Sequence, residues 1–163
     1  HLISIGRKRI AHLSGPQNLL IGKKRLEGYL HALKKHDLPI DENLIINCDT
    51  FDKALKSTPA LFEMDNPPDA IFAVNDLTAA GAMQVARKHD FNIPENVAIV
   101  GFTNERISKI TDPPLTSIDQ HGFKMGQEAM QLLLKRFSTN IEDFKAETRV
   151  IKTSLVIRES TKA

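Results

Sequence analysis

AIFAVNDLTAAGA, residues 70–82, decides how the chain is read. Apolar residues 70–74 run unbroken into Asn75 and Asp76, and a small-residue segment follows. An uninterrupted apolar run of this length, bounded by turn signals, fits a strand buried on both faces. Asp directly before a helix accepts hydrogen bonds from its free backbone N–H groups. Asp76 is therefore the expected cap of a helix over residues 77–89. Asn75 carries both donors and an acceptor and reads either as a satisfied turn residue or as the edge of a site. A catalytic pair is the third reading.

The same alternation spreads outward in both directions. Residues 10–13 (IAHL) read as a strand, and Ser14-Gly15-Pro16 as its turn. From Arg25 the pattern becomes helical, with Leu26, Tyr29, Leu30 and Leu33 on one face. Lys34, Lys35 and His36 suit that helix's last turn, and Pro39 stops it. Further strands are expected at 44–48, 97–102 and 115–119. Residues 52–64 are weakly helical, with Pro59 at a first turn or a kink. A helix is expected over 122–137 with an apolar stripe of Phe123, Met130, Leu133 and Phe137, and a β-rich segment over 148–157. The order β-α-β-α-β-α-β predicts an α/β fold, a parallel sheet with helices on both faces. Ligands of such sheets gather at the carboxyl ends of the strands. The candidates there are Ser14-Gly15-Pro16, Asp49-Thr50-Phe51, Asn75-Asp76 and Thr103-Asn104-Glu105.

Composition narrows the classes. With 163 residues, 41% hydrophobic and 26% charged, the chain is globular and long enough to bury a core. A net charge of +2 is too small to imply nucleic acid by itself. Cys48, the single cysteine, allows no intrachain disulfide and fits a reducing compartment, the cytoplasm. No apolar run approaches the ~18 residues of a membrane helix, so no membrane partner is expected. The first residue is His1 rather than Met, as expected of a piece of a longer protein.

Catalytic and cofactor signatures are missing. Gly15 and Gly22 stand too far apart for a phosphate-cradling loop. His31 and His36 lie on different sides of a helix, and no Cys or His pair has zinc-ligand spacing. No Gly-x-Ser-x-Gly elbow occurs. Asp49, Asp76 and Glu105 could do acid–base work but have no nucleophile beside them. The expectation is a binding protein rather than an enzyme, with no metal, no cofactor and no catalytic residues.

The strand-end motifs, taken in order, resemble the effector-binding core of the lactose-repressor (LacI-type) family of bacterial transcription regulators. They are HLISIGRKRIAHLSGP (1–16), RLEGY (25–29), PDAIFAVNDLTAAGA (68–82) and IPENVAIVGFTNERIS (93–108). PPLTSIDQ (113–120), MGQEAMQLLL (125–134) and SLVIRES (154–160) complete the set. Each is weak alone, and seven in order are specific. The resemblance implies a Rossmann-like lobe of a two-lobed, periplasmic-binding-protein-like (type I) fold. Residues 1–6 would end the first-lobe segment, 7–120 form the C-terminal lobe, 121–145 return as a helix to the first lobe, and 146–163 add the last strand and tail. The family's DNA-binding headpiece and most of its first lobe are absent. The implied function is sensing of a sugar-like or nucleoside-like effector between lobes to control operator binding. Operator DNA would be met only through the absent headpiece, and a homodimer would carry the signal. A periplasmic sugar-binding protein of a transporter is the alternative.

Residue by residue, the resemblance assigns Arg25 to effector hydroxyls, which its planar fork can grip in pairs. It assigns Asn75 to a polar contact, with Asp76 as the cap beside it, and Gln120 to a hinge-side contact. Leu19 and Ile21 fall in the loop before Arg25, and Thr50 or Phe51 where relatives stack an aromatic on the ligand. Many relatives have Asp where this chain has Thr103. Thr103 is neutral, and this departure points to a less polar or differently shaped effector.

Overall fold

A computed structural model of the chain describes residues 1–138, 140 and 145–162. The sheet is built from β1 (Ile10–Ser14), β2 (Ile45–Asn47), β3 (Ala70–Ala73), β4 (Ala98–Thr103), β5 (Thr116–Asp119) and β6 (Ser154–Val156), in the order β2-β1-β3-β4-β5-β6. The first five are parallel, and β6 returns antiparallel to β5. Helices α1 (Leu20–Lys35), α2 (Phe51–Ser57), α3 (Pro59–Phe62), α4 (Asp76–Lys88), α5 (Ile107–Ile110) and α6 (Gly122–Ser138) connect them.

Alternate strand residues feed two cores, because successive side chains point to opposite faces. On one face Ala11, Leu13, Ile71, Ala73 and Ile99 pack against Ala54 of α2 and Ala79, Ala82 and Met83 of α4. On the other, Ile10, Ala70, Ala98 and Val100 pack against Tyr29 and Leu33 of α1. The doubly covered parallel sheet read from the sequence is present.

His12 sits in the second layer and is fully buried. Its ring is stacked between Tyr29 (5.0 Å) and Phe72 (4.8 Å). Nδ1 meets the Phe72 carbonyl at 2.9 Å, and Nε2 has no hydrogen-bond partner. Burial pushes the imidazole down from 6.5 to about 4; the Phe72 carbonyl opposes this and nearby Arg25 adds to it.

Several boundaries differ from the sequence reading. Helix α1 begins at Leu20 rather than Arg25, and Leu19 occupies the capping position without a side-chain bond. Leu19 and Ile21 thus belong to a helix start, not a loop. The closing β-segment shrinks to Ser154–Val156, because its pairing with β5 spans only residues 117–119. The short α5 has no counterpart in the sequence reading. Helix α6 forms as expected but buries none of its residues, and Phe123 and Phe137 are 83% and 76% exposed. Of the expected returning segment 121–145, residues 139 and 141–144 lie outside the described residues. At the other end, Gly6 (φ +92) donates to the Ile3 carbonyl and Arg7 to that of Leu2. This is the paired bonding of a helix C-terminus.

Two glycines should respond oppositely to Ala. A Cβ on Gly81 would lie 2.7 Å from Ala54 Cβ and 2.9 Å from the Phe51 carbonyl, where α4 crosses α2, whereas one on Gly28 meets open space. Gly81→Ala gains ~1 kcal/mol of helix propensity but adds an overpacking cost of ~1–3 kcal/mol, so a net loss is expected in chemical denaturation. Gly28→Ala should stabilise by up to ~1 kcal/mol. His12 makes a second prediction. As pH falls through 6.5, the unfolded chain takes up a proton that the folded chain refuses until about 4. Stability should therefore drop across that window, by up to about 3 kcal/mol from this group. His12→Leu should flatten that part of the stability–pH curve relative to the parent.

Candidate ligand-binding site

The capping role expected of Asp76 falls to Asn75, and Asp76 turns into the protein. Asn75 is the cap of α4: its Oδ1 accepts from the Thr78 N–H at 2.8 Å, and its Nδ2 donates to the Asp49 carbonyl at 2.8 Å. Asp76 is the first helical residue and points inward, with no exposed surface. The reason is local: Asn75 has the extended backbone (φ −152, ψ 170) that a cap requires, and either residue type can fill that position. The Asp76 carboxylate is solvated by the protein instead. Oδ1 accepts from Ser117 Oγ at 2.5 Å, and Oδ2 from the Glu105 N–H at 2.7 Å and Thr103 Oγ1 at 3.3 Å. Burial raises its pKa, and these three bonds counter the shift.

The network fixes the turn after β4. Thr103 (φ +112) and Asn104 (φ +54) both have left-handed backbone, uncommon for any side chain and most unusual for β-branched Thr. The Asn104 N–H donates to Ser117 Oγ, and its Nδ2 to Asp119 Oδ2. Its Oδ1 accepts from Arg158 Nη2 at 2.5 Å, while Arg158 Nη1 reaches the Leu115 carbonyl at 2.6 Å. The rim of the sheet is thereby tied to the C-terminal segment.

Arg25 lies at the same edge, on the α1 side. Nη1 donates to the Val74 carbonyl at 2.7 Å, and the guanidinium sits 3.9 Å above the Phe102 ring centroid. Burial lowers its pKa. A groove of about 730 Å³ opens beside it. Its lining includes Ile21, Arg25, Phe102 and Gln120 and continues along the α1 face past Phe72 to Leu155. Three of the sequence candidates, Ile21, Arg25 and Gln120, are thus brought together.

The other candidates stand outside that lining. Thr103 and Asn75 are on the strand edge, and Leu19 is 51% exposed at the start of α1. Thr50 caps α2, its Oγ1 accepting from the Lys53 N–H at 3.3 Å, and Phe51 opens that helix with its backbone against Gly81. Sequence reasoning missed Phe102 as the support of Arg25. Its signal was the alternation that places Phe72 and Phe102 on one face. It also missed Ser117, a small hydroxyl in a strand that nothing local marks. Among the described residues, no group of three or more His, Cys, Asp or Glu could hold a metal ion.

Asp76→Ala should take the acceptor away from the buried Ser117 hydroxyl proton and from the part-buried Glu105 N–H, a loss of about 3 kcal/mol. Asp76→Asn, which keeps one acceptor oxygen, should lose less. Urea titration of both variants checks the order.

Comparison with known proteins places this geometry. A family profile described as "Periplasmic binding protein-like domain" matches residues 1–161. The chain is 34% identical to the HTH-type transcriptional repressor CytR of Escherichia coli K12, over 100% of this chain and 48% of that protein. It is 35% identical to the HTH-type transcriptional regulator CelR of Thermobifida fusca, over 98% of this chain and 46% of that protein. The chain thus spans about half the length of the curated relatives it matches. Among solved structures, the CelR–cellobiose complex superposes with a TM-score of 0.89 at 34% identity, over 98% of this chain and 48% of that one. A LacI-family regulatory protein from Chloroflexus aggregans gives 0.88 at 32% identity, over 99% and 58%. The chain belongs to the periplasmic binding protein-like domain family and matches the cores of LacI-type transcription regulators.

Proposed function

We propose that the chain is the C-terminal ligand-sensing lobe of a LacI-type transcription regulator. A small molecule binds at the carboxyl edge of the sheet, between this lobe and a first lobe supplied by the rest of the protein, and biases operator binding by a DNA headpiece. The division at residues 6, 120 and 145 follows from that layout. The observation that carries the reading is Arg25. It is held by the Val74 carbonyl and the Phe102 ring at the mouth of the groove, with one N–H spent on the carbonyl. A guanidinium fixed this way is pre-organised to take paired ligand oxygens.

Gln120 and Ile21 complete the groove end, and Thr103, Asn75, Leu19 and Thr50 or Phe51 form its rim. Asn75 contributes only what capping leaves, one N–H and its remaining lone pairs. The reading is of binding without catalysis, in the cytoplasm, by a homodimer. Helix α4 offers Ala80, Gln84 and Arg87 around an open surface depression as the face for a second copy, while Ala79, Ala82 and Met83 of the same helix are buried in the lobe's own core. The transporter alternative is not favoured, because the named relatives are transcription regulators. The ligand can shift the lobes only by its differential affinity for their two arrangements.

Arg25→Ala in the complete regulator should weaken the effector by about 10–100-fold, the worth of charged hydrogen bonds of roughly 1.5–3 kcal/mol, while the protein stays folded. Operator-binding titrations with and without effector measure it. An unchanged response removes Arg25 from the site, and light scattering that finds the intact protein monomeric removes the dimer.

A further inference from the structure

Donors and acceptors at the carboxyl edge are unevenly committed. Both oxygens of Asp76 are taken by Ser117, Glu105 and Thr103. Asp49 Oδ1 takes Lys53 Nζ at 2.5 Å. Asp119 accepts the His121 N–H at one oxygen and Asn104 Nδ2 at the other. Asn75 Oδ1 is occupied by the Thr78 N–H, and the Thr103 hydroxyl proton points to Asp76. Glu105 is exposed and outside the groove lining. In contrast, Arg25 has five N–H groups, of which one is bonded to Val74, and its half-buried charge forms no salt bridge among the described residues. The start of α1 just before it is aliphatic, with Leu19, Leu20 and Ile21 exposed by 51%, 71% and 55%, and of these Ile21 lines the groove together with Lys24 and Gln120.

A neutral polyol brings hydroxyl donors as well as acceptors, and no carboxylate lines this groove among the described residues: Asp76 and Asp119 hold protein donors at both oxygens, and Asp49 and Glu105 stand outside the lining. Donors buried against it would go unpaired, at a cost. A charged acceptor makes shorter and stronger bonds to guanidinium and supplies a counter-charge that Arg25 does not receive from the described residues. We propose that the ligand presents to this lobe an anionic acceptor group, a carboxylate or a phosphate, next to an apolar face that covers Leu19 and Ile21. The proposal rests on the ligand-sensing reading above and narrows its ligand class.

The test uses matched pairs on the complete regulator: glucose against glucose 6-phosphate and glucuronate, ribose against ribose 5-phosphate, and inorganic phosphate alone, read by thermal shift and calorimetry. At least one anion should bind tighter than its neutral partner by about tenfold or more, as one charge-assisted contact supplies. Arg25→Gln should remove that difference. Thr103→Asp, which returns a carboxylate to the rim, should weaken the anion and favour the neutral partner. Phosphate esters binding without uronates assigns the group to phosphate, and the reverse assigns it to carboxylate. The proposal is overturned if neutral members bind as tightly as their anionic partners, if no anion binds, or if anion binding survives Arg25→Gln. Neutral-sugar binding that disappears in Arg25→Gln overturns the anion alone and leaves the sensing reading standing.

Discussion

A carboxylate without access to water must be solvated by the protein around it, and much of this lobe is arranged about that demand at Asp76. Its two oxygens draw in a strand hydroxyl, a backbone N–H and a threonine hydroxyl from two further elements. Gly101 is the neighbour that makes room, since a Cβ there would stand 2.3 Å from Asp76 Oδ1. The same bonds hold residues 103–105 in a backbone that Thr and Asn adopt reluctantly. Strain at the rim and burial of the charge are therefore one arrangement: each needs the other's hydrogen bonds.

Arg25 poses the complementary problem. A half-buried cation is costly unless its charge is answered. Here a carbonyl and an aromatic face answer it in part. The Phe102 ring is itself tilted against Phe72, at 6.5 Å, and Phe72 stacks on His12. A neutral, buried imidazole thus belongs to the row of rings on which the guanidinium rests. Keeping His12 uncharged avoids setting a second positive charge beside Arg25.

Much of this was legible from residue order. Unbroken apolar runs gave four of the parallel strands nearly to the residue, and the Leu26–Tyr29–Leu30–Leu33 spacing placed Arg25 on a helix over the sheet. Three features were not legible, each for a physical reason. Asn and Asp cap helices about equally well, so only the backbone at residue 75 shows which of the two turns inward. Helix α1 starts at three aliphatic residues with no side-chain cap, so no start signal marks it before Arg25. The left-handed Thr103 is imposed by bonds from Asp76 and Ser117, which are distant in sequence. The groove unites Ile21, Arg25 and Gln120 across almost a hundred residues of chain, which the strand-end rule anticipates in outline and only packing decides in detail.

The C-terminal segment has a consequence in time as well as in space. Ser160 Oγ donates to the Ile99 carbonyl and accepts the Thr116 N–H, and Arg158 grips Leu115 and Asn104. These contacts bridge 43 to 61 residues of sequence and are made by residues translated after every strand they reach. Contacts of such separation form late, because the intervening loop must close first. During synthesis β1 to β5 can pair while β5 still has a bare edge and the turn at 103–105 lacks its outer clasp. The ligand edge is then among the last parts of the lobe to take its final shape, and a chain cut short before Arg158 would keep most of its sheet while leaving that edge unfinished.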